Sequence, residues 1–154
     1  MSKKYWLMKS EPDSYSIEKL KLEGTTWWEG VRNYQARNFM AKDMAVGDEI
    51  LFYHSSTAPA GVAGLAVVSM KAAPDQSQFD KKSDFYDPKA SKEKPIWFCV
   101  QVKYTENFKN YVTLDSIRQD QKLQGMIVIK KGSRLSIQPV SEKDFKHILK
   151  LGRH

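Results

Sequence analysis

The sequence predicts an α+β fold with mostly antiparallel strands, and three observations carry that prediction. Short apolar or alternating runs of strand character recur at 5–8, 49–54, 61–70, 96–103 and 134–138. Segments with helical spacing and capping residues lie between and after them. Neither an internal repeat nor a linker interrupts the 154 residues, so the expectation is one domain over 1–154.

The elements follow in chain order. Tyr5-Trp6-Leu7-Met8 is an apolar run ended by Pro12 and Asp13, and reads as a buried strand. Ser14 or Ser16 caps a short helix through Ile17 and Leu20, stopped near Gly24. Asn33 caps a second helix, in which Ala36, Met40 and Met44 recur at i, i+4. Gly47-Asp48 turns the chain into a strand over 49–54, and another runs from Gly61 to Met70 with Gly64 marking a bulge or close backbone approach. Residues 71–95 hold almost no aliphatic side chains but keep Phe79, Phe85 and Tyr86, which predicts an ordered loop lying across the surface.

Ile96, Phe98, Val100 and Val102 then alternate with Trp97, Cys99, Gln101 and Lys103, the pattern of a strand with one core face. A helix is expected over 113–123, and 126–129 is a short strand or that helix's tail. Arg134 to Gln138 alternates as a strand ended by Pro139 at a sheet edge. Ser141-Glu142-Lys143-Asp144 is a capping box opening a last helix through Phe145, Ile148 and Leu149, with Gly152 as its stop. Ile50, Phe98, Val100, Val102 and Ile137 are the expected core.

Composition narrows the function classes. With 41% hydrophobic and 28% charged residues the chain is globular, and at this length it folds without a disulfide or metal. Residues 1–77 carry nine Lys/Arg against nine Asp/Glu, whereas 78–154 carry sixteen against nine, so the net +7 sits in the second half. That asymmetry points to a polyanionic partner. Cys99 stands alone, which excludes an internal disulfide and a multi-cysteine zinc site. The absence of a signal-peptide pattern or a spanning apolar stretch leads to the expectation of a soluble, cytoplasmic protein without membrane contact.

The familiar catalytic constellations are missing. His54, His147 and His154 are the only histidines, no Cys/His group has metal spacing, and no Gly-rich phosphate loop is present. Cys99, within an alternating strand, reads as a small hydrophobe. Asp80, Asp84 and Asp87 stand among lysines. By contrast Trp27, Trp28, Tyr34, Phe79, Phe85 and Tyr86 sit beside Gly, Pro, Asn or charge rather than in aliphatic runs. Aromatic faces together with Lys and Arg suit the stacking of an unpaired base and neutralisation of its phosphates.

Two segments, YWLMKSEP at 5–12 and WEGVRNYQARN at 28–38, together resemble the EVE domain family. The resemblance continues through GDEILFYHS (47–55), YDPK (86–89) and RLSIQPV (134–140) and covers essentially the whole chain. It implies a PUA-like fold, a strongly bent, mostly antiparallel β-barrel with surrounding helices, related to the YTH domains that hold a methylated adenine in an aromatic cage. It also implies a non-catalytic reader of a modified base, of the 5-methylcytosine type or another, in DNA or RNA, with no cofactor and no metal.

Residue by residue, the resemblance assigns Trp28 to the cage and Ser10 to the polar contact that reads a base edge. Ser55 and Ser56 follow a pocket wall. The loop with Phe79, Phe85, Tyr86 and Pro88 lies where the YTH family supplies a lid. Asn33 completes the expected rim, and Arg32, Arg37 and Lys89 are the expected phosphate contacts. Trp28 is expected to form a pocket wall outside the core, and Trp27 to pack into the domain. A monomer is expected, working alone or beside a separate nuclease or other effector. The alternative is a metal-dependent enzyme acting on nucleic acid or nucleotides through Asp80, Asp84 or Asp87.

Overall fold

The central strands are apolar on both faces, and the rest of the chain is arranged to cover both. The computed structural model describes residues 3–132 and 134–154. Residues 1, 2 and 133 of the expected domain lie outside the described residues. Strands β1 (Tyr5–Ser10), β2 (Thr25–Trp27), β3 (Glu49–His54), β4 (Gly61–Pro74), β5 (Phe98–Thr113) and β6 (Ile137–Val140) form one sheet in the order β2-β5-β4-β3-β1-β6. Helices α1 (Ile17–Glu23), α2 (Tyr34–Asn38), α3 (Leu114–Gln119) and α4 (Glu142–Arg153) pack around it. None of the described helices is long and apolar enough to cross a membrane.

β1 pairs in parallel with β3, and every other neighbouring pair is antiparallel, so the fold is α+β with a mixed sheet. Trp6, Met8, Ile50 and Phe52 join one core with Trp28, Met40, Val100 and Ile137. Leu7, Leu51 and Tyr53 join the other with Leu65, Phe145 and Ile148. Burial on both faces is why β1 and β3 read as continuous apolar runs rather than alternating ones.

The expected strongly bent barrel is corrected to an open, mixed six-stranded sheet. β2 and β6 end the strand order, with three and four residues each, and among the described residues they do not pair. β4 and β5, of 14 and 16 residues, pair with repeated register shifts, once at Gly64.

Several expected boundaries move. Phe98 is only half-buried, and Trp97 and Cys99, expected on the outer face, are buried: Cys99 joins the core that holds Val100 and Val102, and the Trp97 ring is stacked against Tyr34. Ile50, Val100, Val102 and Ile137 are core residues as expected. The second helix ends at Asn38 and continues as a wider turn over Phe39–Asp43, where Met44 N donates to Phe39 O at 2.9 Å; Ala36, Met40 and Met44 all remain buried.

The helix expected over 113–123 breaks at Asp120, whose carboxylate caps a following 3₁₀ turn and meets His147 at 2.7 Å. Residues 127–129 form another 3₁₀ turn, neither strand nor helix tail. β6 begins at Ile137 and runs through Pro139, which an edge strand tolerates because one side needs no N–H. α4 passes through Gly152 instead of stopping there. The Phe108 ring occupies the space a Cβ would need, so close packing selects this glycine.

Candidate functional site

A cavity of about 460 Å³ opens where the C-terminal end of β1 meets the segment after β2. Lys9, Ser10 and Glu11 bound one side, Thr26 to Arg32 another, and Ser14, Tyr15, Phe85 and Ser136 complete it. This volume lies within the range of small-ligand sites.

Four aromatic residues, Tyr15, Trp27, Trp28 and Phe85, line the cavity with different degrees of burial. Trp28 is 9% exposed, and its ring meets Phe52 edge-on at 5.6 Å and 86°. Its backbone N–H donates to Val100 O at 2.9 Å, which fixes it against β5. Trp27, on β2, is 36% exposed. Trp28 is therefore a cavity wall and a core residue at once, and Trp27 stands at the surface instead of packing inward. Phe85, exposed on the long loop, leans against Gly30.

Gly30 is what allows that approach. Its φ is +89°, and a Cβ there would lie 2.8 Å from the Phe85 ring. The Gly30 N–H donates to the Asp75 carboxylate at 2.9 Å. Asp75 also accepts from Arg32 Nη1 at 3.1 Å and from Ser77 N at 2.9 Å. Arg32 donates further to Ser77 Oγ and, with two nitrogens, to the carbonyl of Phe85 at 2.7 and 3.1 Å. Asp75 and Arg32 thus fasten the strip from Trp28 to Arg32 onto the loop that carries Phe85.

Gln78 holds the far end of the loop. Fully buried, it donates to the carbonyls of Asp75 and Trp97 and accepts from the N–H groups of Ile96 and Trp97, all within 2.7–2.9 Å. The Trp97 indole N–H donates to Asp87 at 2.8 Å, and this bond holds the Asp87 carboxyl below the usual carboxylate range. Hydrogen bonds of Arg32, Asp75, Gln78, Asp87 and the Trp97 indole pin the expected ordered loop.

The polar groups at the cavity are tuned by burial. The Ser10 hydroxyl donates to Tyr15 O at 2.5 Å, leaving its lone pairs as acceptors. Burial lowers the Lys9 ammonium from its ordinary value. Burial, followed by the negative charge of Asp75, raises the Glu29 carboxyl. The Tyr15 phenol is pushed up to about 12 by burial and by its bond to Glu23.

Of the expected site residues, the cavity brings together Ser10, Trp28 and Arg32. Asn33 spends its side chain on capping α2, accepting from Ala36 N at 2.9 Å. Ser55 meets Ser10 through a backbone bond, 2.9 Å from its N–H to the Ser10 carbonyl, and neither it nor Ser56, with φ +54°, lines the cavity. Tyr86, Pro88 and Lys89 lie beyond Phe85 without lining the cavity. Arg37 donates to Ile96 O and Asn38 Oδ1. Lys89 is exposed, as are Lys81, Lys82, Lys130 and Lys131.

Sequence reasoning missed Glu11, Tyr15, Asp75, Gln78 and Ser136. Asp75 and Gln78 look like loop polar residues until the loop is folded. Ser10 ends β1 and Glu11 follows it, a place where sites concentrate.

No group of three His, Cys, Asp or Glu suited to a metal is found among the described residues. Asp80 and Asp87 give carboxylate oxygens to the N–H groups of Lys82 and Lys89, as turn-forming aspartates do. Cys99 is 1% exposed, and burial pushes its thiol up, which leaves it unsuited to act as a nucleophile.

Residues 4–151 match the EVE domain. Human thymocyte nuclear protein 1 is 38% identical over 166 residues, covering 96% of this chain and 73% of that protein. A solved structure from Leishmania major superposes with a TM-score of 0.93 at 45% identity, covering 98% of this chain and 95% of that one. The human THYN1 protein in complex with 5-methylcytosine containing DNA superposes with a TM-score of 0.90 at 37% identity, covering 98% of each chain. The match spans both halves of the cavity, from Lys9 to Ser136, and the chain belongs to the EVE domain family.

Proposed function

We propose that this protein is a non-catalytic reader of a modified base of the 5-methylcytosine type in DNA or RNA, and that the cavity beside Trp27 and Trp28 receives the base. The supporting observation is the cavity itself, with two indoles and Phe85 at its walls and Ser10 and Tyr15 among its polar groups. A relative of the same fold, the human THYN1 protein, is known in complex with 5-methylcytosine containing DNA. A base taken out of its stack needs an aromatic surface to lie on and a few fixed polar groups to read its edge.

In this reading Trp28 is the fixed wall, Trp27 the outer platform, and Ser10 an acceptor at the base edge. Arg32 and Asp75 hold the wall in place. Asn33, Ser55, Ser56, Tyr86 and Pro88 shape the surroundings without touching the base. Lys89 and the other exposed lysines of the second half supply the phosphate contacts. The chain acts as one PUA-like domain and as a monomer.

Discrimination is modest, since burying one methyl group contributes about 0.8 kcal/mol and methylene-scale differences discriminate by about 1–3 kcal/mol. The test is fluorescence anisotropy with oligonucleotides that differ only in one 5-methylcytosine, with product analysis alongside. Preference of about tenfold for the modified strand, with the oligonucleotide recovered intact, supports the reading. Equal affinities, or metal-dependent turnover, overturn it.

A further inference from the structure

We propose that Tyr34 is a second stacking platform, outside the cavity, for an unpaired base that flanks the recognised one on the same strand. The proposal rests on the base-reader function above and extends it to the strand around the base.

Tyr34 opens α2 and is 60% exposed, although its ring stacks on Trp97 with centroids 4.9 Å apart and planes at 21°. Trp97 is itself 5% exposed, with its indole N–H held by Asp87, so the surface under Tyr34 is fixed. Arg37 Cζ lies 4.8 Å from the Tyr34 ring centroid, and its guanidinium is held by the carbonyl of Ile96. On the other side Arg32 Cζ lies 5.1 Å from the Trp97 ring and 5.6 Å from Phe85, which lines the cavity. A continuous run of rings and guanidinium groups therefore leads from the cavity wall to Tyr34.

That arrangement fits a nucleic-acid strand. A ring already stacked on a fixed indole loses little freedom when a base lands on it, and every base offers a π-face, so the platform tolerates sequence. The positive charge of Arg37 beside the ring suits the adjoining phosphate. Because a base inside a duplex is already stacked on both faces, the occupant is an unpaired base, and the preferred ligand is single-stranded around the modification.

The test compares the wild type with Tyr34→Leu, which still covers Trp97 but offers no π-face, and with Tyr34→Phe. Each is titrated with free 5-methyl-2′-deoxycytidine, a single-stranded octamer with one central 5-methylcytosine, the unmodified octamer, and the modified duplex. Tyr34→Leu is expected to weaken octamer binding about tenfold and to leave the nucleoside unchanged, while Tyr34→Phe behaves as the wild type. Unchanged octamer binding by Tyr34→Leu, an equal loss for the nucleoside, or a wild-type preference for the duplex overturns the proposal. Equal wild-type affinity for the two octamers overturns the modified-base reading alone, since the Tyr34 outcome is then read on either strand. Failure to bind either octamer overturns both.

Discussion

Arg32 and Asp75 meet at 3.1 Å, with the Asp75 side chain 2% exposed and that of Arg32 22% exposed. The pair joins two segments more than forty residues apart in sequence, and its remaining hydrogen-bonding capacity goes to Gly30, Ser77 and the carbonyls of Val31 and Phe85. An arginine in a motif beside a basic surface suggests a phosphate contact. Here the guanidinium is turned inward and occupied by the protein.

The first prediction separates these two roles. Lysine carries a single ammonium and cannot serve Asp75, Ser77 and Phe85 O at once. Arg32→Lys is expected to cost about 1–3 kcal/mol, lowering Tm by about 2–4 °C per kcal/mol at this chain length. The slope of log affinity against log salt should stay as in the wild type, because no phosphate contact is removed. A slope that becomes shallower by about one, with Tm unchanged, would identify Arg32 as a phosphate ligand instead.

The second prediction concerns the adjacent indoles. Trp28 is packed against Phe52 in the core, so Trp28→Ala is expected to cost about 3–5 kcal/mol of stability and to take binding with it. Trp27, 36% exposed at the cavity, should tolerate Ala with little change in Tm while affinity for the modified strand falls by about 1–3 kcal/mol. Thermal melts and anisotropy on both variants check this. Loss of stability in Trp27→Ala with binding intact would reverse the assignment.

Gly30 supplies the third. Alanine there meets two penalties, the left-handed backbone at φ +89° and the Phe85 ring 2.8 Å from the new Cβ. Gly30→Ala should therefore lower stability by about 1–3 kcal/mol and displace Phe85 from the cavity. Adding Phe85→Ala removes the clash but not the backbone strain, so the double variant recovers only part of the loss. Full recovery would mean that the backbone carries no strain, and no recovery that Phe85 does not lie against Gly30.

Much of the fold was legible because local signals and tertiary packing agree. Ser16 and Ser141 cap their helices as their spacing predicts, accepting from Lys19 N and Asp144 N. Tyr5 to Met8 and Glu49 to His54 were readable as strands by their apolar runs. Phase failed where a distant segment covers a second face. Trp97 and Cys99 alternate as outward residues, yet Cys99 joins the core with Val100 and Val102, and Trp97 is covered by Tyr34 and the guanidinium groups of Arg32 and Arg37. Sheet closure was illegible because periodicity in one strand carries nothing about its partners. At the cavity, Ser10 and Trp28 were accessible through their motifs. Asp75 was not, because a carboxylate in a polar loop becomes distinctive only beside the Gly30 amide and the Arg32 guanidinium.

The last prediction uses pH. His54 ends β3, and its Nε2 accepts from the backbone N–H of Ile17 at 3.2 Å, satisfying one of the free donors at the start of α1. Burial lowers the His54 imidazole below its ordinary value near 6.5, against a smaller upward pull from Glu18. Both effects of burial and hydrogen bonding favour the neutral ring in the folded state. As pH falls through about 6.5 the unfolded chain takes up the proton first, so the unfolded state gains and stability is lost. Above that range the contribution is fully present. Protonation of Nε2 also removes the acceptor from Ile17, which should loosen the first turn of α1. The variant His54→Gln keeps an acceptor that does not titrate. Between pH 7.5 and 5.5 the wild type should therefore lose more Tm than His54→Gln, and an NMR titration should place the His54 midpoint below 6.5. A midpoint at or above 6.5, or parallel pH dependences for the two proteins, would show that the ring is not held neutral by its place beneath α1.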